Sequence, residues 1–304
     1  MRFRDETVWI VARKYGQLAN RLFLFANLIG AARHYGVELR NPCFAEYADL
    51  FPSTRHDLWC RYREHLKETR EKTRRTAPSL RSRIALMHAI SSGSKWLGRA
   101  GILQRRYKVM ELKSGESCEL LGNAFRDMAS SRATLLLRGW LFRSQLVMDH
   151  RDAICDFFRL DHANEQLVEK HVRACRQDCD VLVGVHIRRG DYRQFQGGRY
   201  FYDDQTYASW MNRIQEQLSP LRVRFLVCSH QDFDEKVYQG LRITRGPGSA
   251  ITDLYSLAQT DWMIGPPSTF TAWAAYYGLK PRIELQSASE VFDPPTLADF
   301  RTAC

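Results

Sequence analysis

Val181-Leu182-Val183-Gly184-Val185-His186-Ile187-Arg188-Arg189-Gly190-Asp191-Tyr192 changes character at its middle. Up to Ile187 the run is apolar apart from His186, too short for a buried helix and free of helical period. Such runs are strands covered on both faces of a parallel sheet. The polar half then begins at the carboxyl end of that strand, where open α/β sheets bind their ligands. Two adjacent arginines there present fixed guanidinium forks that suit a diphosphate. They project in different directions, so Arg188 is expected to reach a ligand and Arg189 to pair with Asp191. A salt-bridged turn closing a strand produces the same pattern.

Working outward, the second half alternates strands with helices. Val223–Cys228 and Asp261–Gly265 read as strands, and 205–218, 252–259 and 268–277 as helices, the last closed by Gly278 and Pro281. The first half opens in the same way. Val8–Ala12 is a β-rich run, Gly16-Gln17-Leu18-Ala19-Asn20 turns the chain, and Leu22, Phe25, Ala26 and Ile29 recur at helical spacing. Thr134–Trp140 reads as a buried strand, and 144–158 and 164–175 as helices. Two α/β units of the Rossmann kind are therefore expected, joined near residue 165.

Length and composition agree. The 304 residues suffice for one large or two modest domains, and 44% apolar residues exclude wholesale disorder. The sequence has no run of eighteen apolar residues, so no transmembrane span is expected, and the short run at Val8–Val11 does not make a signal peptide. Eight cysteines are scattered with no Cys-x-x-Cys, which argues against a zinc ribbon or dithiol centre and for reduced thiols in a cytoplasmic protein. The net charge of +11 is local: residues 61–108 hold fourteen Lys or Arg and three Glu, leaving 31 of each sign elsewhere. A basic attachment is expected there, not a basic groove.

Beyond the Arg188 stretch, Ser268 opens the last helix as an N-cap, at a terminus that presents N–H groups to anions. Asp253, at the start of the preceding helix, is a carboxylate able to accept two hydrogen bonds from guanine. Asp178-Cys179-Asp180 and Asp232-Phe233-Asp234 are Asp-x-Asp triplets, which can hold a divalent cation. The Gly16–Asn20 turn is neither Gly-x-Gly-x-x-Gly nor a P-loop. His-Glu-x-x-His and Gly-x-Ser-x-Gly do not occur.

Taken together, three stretches resemble the α-1,2-fucosyltransferase family, glycosyltransferase family 11. They are Gly16–Phe23, Val183–Tyr192, and Asp253–Ala258 continuing to Ser268–Tyr276; Leu137–Phe142 resembles a family segment as well. The His-x-Arg-Arg-x-Asp pattern is shared with α-1,6- and protein O-fucosyltransferases. The family's glycine-rich first loop is here reduced to Gly16 alone, and the likeness is absent over about 55–115.

The resemblance implies an α/β fold of glycosyltransferase B type, with two Rossmann-like domains facing a cleft. An acceptor-side domain would span 1–165, with a basic helical insertion at about 55–115, and a GDP-sugar-binding domain 166–304. It implies inverting, metal-independent transfer from GDP-fucose to a glycan hydroxyl, forming an α-1,2 linkage to galactose, with no cofactor. Arg188 would bind the β-phosphate, His186 and Asp253 the nucleoside, and Ser268, Thr269 and Phe270 the diphosphate and base. Asn20 would belong to the substrate contacts, and Asp191 would stand with Arg188 as catalytic. The residues themselves identify no base; Asp203 and Asp204 are further candidates.

The alternatives are another fucosyl linkage, a metal-dependent transferase using a triplet, and a basic nucleic-acid-binding protein. The last is disfavoured because the 61–108 segment lacks interleaved aromatics. An oligosaccharide or lipid-linked glycan is the expected acceptor. Two readings of 61–108 stand: peripheral contact with an anionic membrane at the cytoplasmic face, through Ile84–Ile90, Trp96 and Leu97 beside Arg81, Arg83, Lys95 and Arg99, or packing of Ile84, Leu86, Met87 and Ile90 on the N-terminal domain with the arginines solvated.

Overall fold

The computed structural model describes residues 7–63, 76–100 and 106–293. The chain divides into two compact units, Met1–Asp161 and His162–Cys304.

In the first unit, five strands form one sheet: β1 (Val8–Val11), β2 (Glu38–Arg40), β3 (Arg61–Tyr62), β4 (Tyr107–Glu111) and, after β5 (Cys118–Glu119), β6 (Thr134–Arg138). Their order is β3-β2-β1-β6-β4, parallel except for β3, and β5 pairs separately with β7 (Phe142–Arg143). The helices are α1 (Leu18–Tyr35), α2 (Pro52–Arg55), α3 (Leu80–Ala100), α4 (Asn123–Ala129), α5 (Leu146–Asp149) and α6 (Arg151–Phe157). Apolar residues surround most of α1 because it lies inside the unit. Its Phe25 meets Phe44, Phe157 and Phe158 edge-on at 5.3–5.5 Å.

Two sequence expectations change here. The helix expected over 144–158 is split into α5 and α6 at His150. The Ser144 N–H donates to Asn27 Oδ1 on α1 at 3.1 Å, and the chain then bends to bring Phe157 and Phe158 into the aromatic core. The basic segment is not helical from residue 61, since Arg61 and Tyr62 form β3; its residues 64–75 and 101–105 lie outside the described residues.

Helix α3 runs without a break through Ser91-Ser92-Gly93-Ser94. Arg83, Met87 and Ser94 are buried along one stripe, and Ile90 and Leu97 pack on Ile10, Ala12 and Leu136 of the sheet region. The apolar side of α3 therefore covers the first unit.

Arg83, one of the supposed attachment arginines, is fully buried. Its guanidinium donates to the carbonyls of Asp57 at 2.8 Å, Thr54 at 3.4 Å and Arg55, and pairs with Asp49 at 3.4 Å. Two of these carbonyls also take backbone N–H groups, Thr54 from Asp57 at 3.0 Å and Asp57 from Cys60 at 3.2 Å, so Arg83 adds charge-assisted bonds to a turn already closed by its backbone.

The second unit has an all-parallel sheet of β8 (Val181–Ile187), β9 (Val223–Ser229), β10 (Ile243–Arg245), β11 (Trp262–Gly265) and β12 (Arg282–Glu284), in the order β10-β9-β8-β11-β12. Its helices are α7 (His162–Cys175), α8 (Asp204–Gln217), α9 (Ala250–Leu257) and α10 (Thr269–Gly278). The division of the chain lies at 161/162, earlier than the join read near 165, because α7 already begins at His162 and packs on α9.

All seven residues of β8 are buried, and Val183, Val185 and Ile187 share one core with Tyr207, Trp210 and Met211 of α8. From β8 the chain builds β9 and β10 on one side, then crosses to β11 and β12 on the other. The topological switch point thus lies between β8 and β11. None of the cysteines among the described residues forms a disulfide, and no described helix is long and apolar enough to cross a membrane.

Candidate functional site

The carboxyl ends of β8, β9 and β11, flanking that switch point, collect most of the residues singled out in the sequence. His186 is the penultimate residue of β8 and is fully enclosed. Burial, with the Arg188 and His230 charges beside it, pushes its pKa from 6.5 down to about 3, so the imidazole is neutral. Its Nδ1 has no hydrogen-bond partner, and its ring stacks on Phe270 with centroids 4.7 Å apart and planes 23° from parallel. Gly265, ending β11, makes that placement possible: a Cβ there would stand 3.2 Å from the His186 Cβ and 3.1 Å from its carbonyl oxygen.

The ion pairs of the two arginines differ from those expected. Arg188, not Arg189, pairs with Asp191, at 2.9 Å, and its guanidinium lies 5.1 Å from the Tyr192 ring centroid. Arg189 turns the other way to Asp204, which also accepts from the Tyr238 hydroxyl at 2.8 Å and the Asp234 N–H at 3.2 Å. The cause is local geometry. Gly190, with φ 65°, folds the chain back so that Asp191 faces Arg188, and its lack of a side chain leaves room for His230 Nε2. The Nε atoms of both arginines are buried without an acceptor. For Arg188 this leaves a free donor beside an exposed carboxylate partner.

Ser268 is the N-cap of α10, as expected: its Oγ accepts the Phe270 N–H at 3.1 Å. Its carbonyl accepts from Arg282 and Thr271 at 3.2 Å, and the Tyr192 hydroxyl donates to the neighbouring Pro267 carbonyl at 2.7 Å. Ser268, Thr269 and Phe270 thus sit at a helix N-terminus fastened to the Arg188 turn. Such a terminus carries partial positive charge.

Asp253 lies on the first turns of α9, only 7% exposed, and its Oδ1 accepts the Gly248 N–H at 2.9 Å. Burial raises its pKa, against the opposing effect of that hydrogen bond. It lines a cavity of about 460 Å³ with Ser229, His230, Phe233, Arg245 and Gly246. His230 connects this cavity to the Gly190 turn.

Asn20 belongs to the other unit, on the first turn of α1, where its amide lies over Gly16. The other substrate-binding candidates, His186, Arg188, Asp253, Ser268, Thr269 and Phe270, all belong to the second unit. Asp203 and Asp204, considered as bases, have structural partners: Asp203 caps α8 by accepting the Thr206 N–H at 2.9 Å, and Asp204 holds Arg189. Of the Asp-x-Asp triplets, Asp180 pairs with Arg222 at 2.9 Å, Asp232 with Arg245 at 3.4 Å, and Asp234 caps a short 3-10 turn. Among the described residues, no group of three or more His, Cys, Asp or Glu is arranged to hold a metal ion.

Sequence reasoning missed His230 and Arg245. His230 directly follows β9, and a residue just past the strand beside the switch point is the signal that was available. Arg245 ends an edge strand and lies 4.1 Å from the Phe233 ring centroid; nothing local marked it.

Comparison with known proteins agrees with this picture. Residues 145–293 match the family model of glycosyl transferase family 11, so the resemblance read from the motifs is shown over the second unit. The structure is similar to that of an Arabidopsis thaliana FUT1 mutant in complex with GDP, with a TM-score of 0.54 and 13% identity, over 91% of this chain and 70% of that one. It is also similar to NodZ α-1,6-fucosyltransferase soaked with GDP-fucose, with a TM-score of 0.54 and 16% identity, over 92% and 94%. The mixed α/β fold with parallel sheets is shared with both, in agreement with the fold class expected from the sequence. No curated protein matches the chain by sequence.

Proposed function

We propose that the chain is a family 11 glycosyltransferase that moves fucose from GDP-fucose to a glycan hydroxyl, inverting the sugar carbon and using no metal. The observation that supports this most is the gathering of Arg188, neutral His186, the α10 N-terminus at Ser268 and the Asp253 cavity along one edge of one sheet. Those are a phosphate fork, a packing surface, a helix-terminal anion site and a buried carboxylate acceptor. In this reading the Asp253 carboxylate accepts from guanine N1 and N2, and Thr269 and Phe270 flank the diphosphate and base.

The transfer breaks the bond between the sugar carbon and a diphosphate oxygen, and negative charge grows on GDP. Arg188 and the helix terminus stabilise it; fixed donors of this kind contribute on the order of 3–4 kcal/mol each in comparable oxyanion sites. The acceptor oxygen forms the new bond from the opposite face and gives up its proton. Asp191 fixes the Arg188 fork, and Asn20 contacts the acceptor. The family likeness favours an α-1,2 linkage to galactose on an oligosaccharide or lipid-linked glycan. The enzyme works in the cytoplasm, and Arg81, Lys95 and Trp96, exposed on α3, favour contact with an anionic membrane surface.

Calorimetry against GDP and UDP tests the donor site. GDP is expected to bind the wild type more tightly, and Asp253→Ala to weaken GDP while leaving UDP little changed, because one buried acceptor for the base is lost. Transfer is expected to survive EDTA, and the product linkage is read by NMR. Equal GDP binding by Asp253→Ala removes that residue from base recognition. Loss of turnover in EDTA with recovery in manganese replaces the mechanism by a metal-dependent one.

A further inference from the structure

We propose that the first unit carries a binding site for an anionic saccharide, built where α3 meets the sheet; its role as acceptor site rests on the transferase reading above. A cavity of about 630 Å³ opens there, lined by Arg13, Ser91, Ser92, Lys95, Glu111 and Arg138. Its position is set by the strands. Glu111 of β4 stands opposite Arg138 of β6, and Ala12, bonded to the Leu137 carbonyl at 2.8 Å, leads into Arg13. All three side chains leave the sheet at the carboxyl ends of parallel strands. They do so at the switch point between β1 and β6, where such sheets bind ligands.

The charge of the lining is unbalanced. Three cations face one carboxylate, with Glu111 Oε1 at 3.2 Å from Arg138 Nε and 3.5 Å from Arg13 Nη1. Lys95 has no ion pair among the described residues. Arg138 is held rigidly, its side chain 5% exposed, by bonds from Nη1 to the Ser91 carbonyl at 3.0 Å and Ser94 Oγ at 2.7 Å. A buried guanidinium that shares Glu111 with Arg13 leaves positive potential in the cavity, and an anion there restores the balance.

Other features point to a sugar and not to a bare ion. The volume is that of a small-molecule site and far exceeds one phosphate. Ser91 and Ser92 add hydroxyls that donate and accept. Trp96, 60% exposed, lies one helical turn beyond Ser92 on the same face of α3, an apolar platform with a polar edge. The lining side of α3 falls in the stretch where the family likeness is absent. A carboxylate on a uronic acid and a phosphate on a sugar or its carrier share the required chemistry.

The test uses the full chain saturated with GDP, so that the second-unit site is occupied. Glucuronate, glucose 1-phosphate and glucose are titrated by calorimetry. At least one anionic sugar is expected to bind, with glucose about tenfold weaker or more. Lys95→Ala is expected to weaken the anionic sugar about tenfold and Lys95→Glu to remove binding, while Trp96→Ala weakens it without affecting inorganic phosphate. Lys95 and Trp96 are exposed, so the variants fold, as their unfolding transitions verify. Glucuronate against glucose 1-phosphate separates the two sources of charge. Absence of binding by both anions, equal binding of glucose, or wild-type binding by Lys95→Glu overturns the proposal. If the protein takes up no GDP, the transferase reading fails, and the same titrations still decide the saccharide site.

Discussion

The consequential choice at the scale of single residues is which arginine faces the ligand. Arg188 keeps a buried Nε–H without an acceptor, while its fork is held by exposed Asp191. Arg188→Lys keeps the charge and loses both the fork and the Nε donor. Transfer is expected to fall by about 10²–10³ with the melting transition unchanged. Arg189→Met is expected to act in the opposite way. It strips Asp204 of its cation next to the Tyr238 hydroxyl, so stability falls more than donor affinity, as urea unfolding beside GDP titration will show. His186 gives a pH signature. Its folded pKa is about 3 against an ordinary 6.5, so below pH 6.5 the unfolded chain takes up a proton that the folded one refuses. Stability is therefore lost as pH falls from 6.5 towards 3, by up to about 1.4 kcal/mol per pH unit from this group. Urea unfolding across that range should show a shallower slope for His186→Gln, and identical slopes would remove the imidazole from the pH dependence.

Among the elements, α3 shows how a basic helix is tied to a domain by one of its own charges. Arg83 donates to the carbonyls of Thr54, Arg55 and Asp57 from a fully buried position, so Arg83→Ala removes these charge-assisted bonds and empties the space the guanidinium fills. A loss of about 2–4 kcal/mol in urea unfolding is expected, with Arg83→Lys recovering little of it because a single ammonium cannot span three carbonyls. This role was not legible in the sequence, where Arg83 is one of fourteen basic residues in a row of charges. The strands of the second unit were legible for the opposite reason: β8, β9 and β11 are continuous apolar runs, and their burial on both faces follows from that composition. The short strands β2 and β3 and the 3-10 stretch at Pro42–Leu50 carry no period and escaped notice. In the site, Ser268 was legible because capping is local. The pairing of Arg189 with Asp204, fifteen residues on, depends on where α8 begins, and sequence spacing favoured Asp191 instead.

Across the whole molecule, charge is distributed more sharply than any other property. Outside residues 61–108 the chain is neutral, so any long-range attraction to an anionic surface originates in that segment. The structure sets what character such an attraction would have. Ile90 and Leu97 pack on the first unit's sheet, and Met87 and Arg83 are buried, so among the described residues of α3 the exposed large apolar side chains are Leu80 and Trp96. What remains is electrostatic, at about 1 kcal/mol for each basic residue close to an anionic leaflet, and it is screened within a Debye length of roughly 10 Å at 0.1 M salt. Sedimentation with vesicles containing phosphatidylserine is therefore expected to retain the protein at low ionic strength and release it at high. Neutral vesicles should retain little under either condition, and Trp96→Ala should leave the salt dependence unchanged. Retention that persists at high salt would mean that apolar insertion dominates, and the packing of α3 on the sheet would then have to open at the membrane. No retention at low salt would leave the fourteen basic residues without a surface to meet, and would make the Lys95 cavity the main use of that charge.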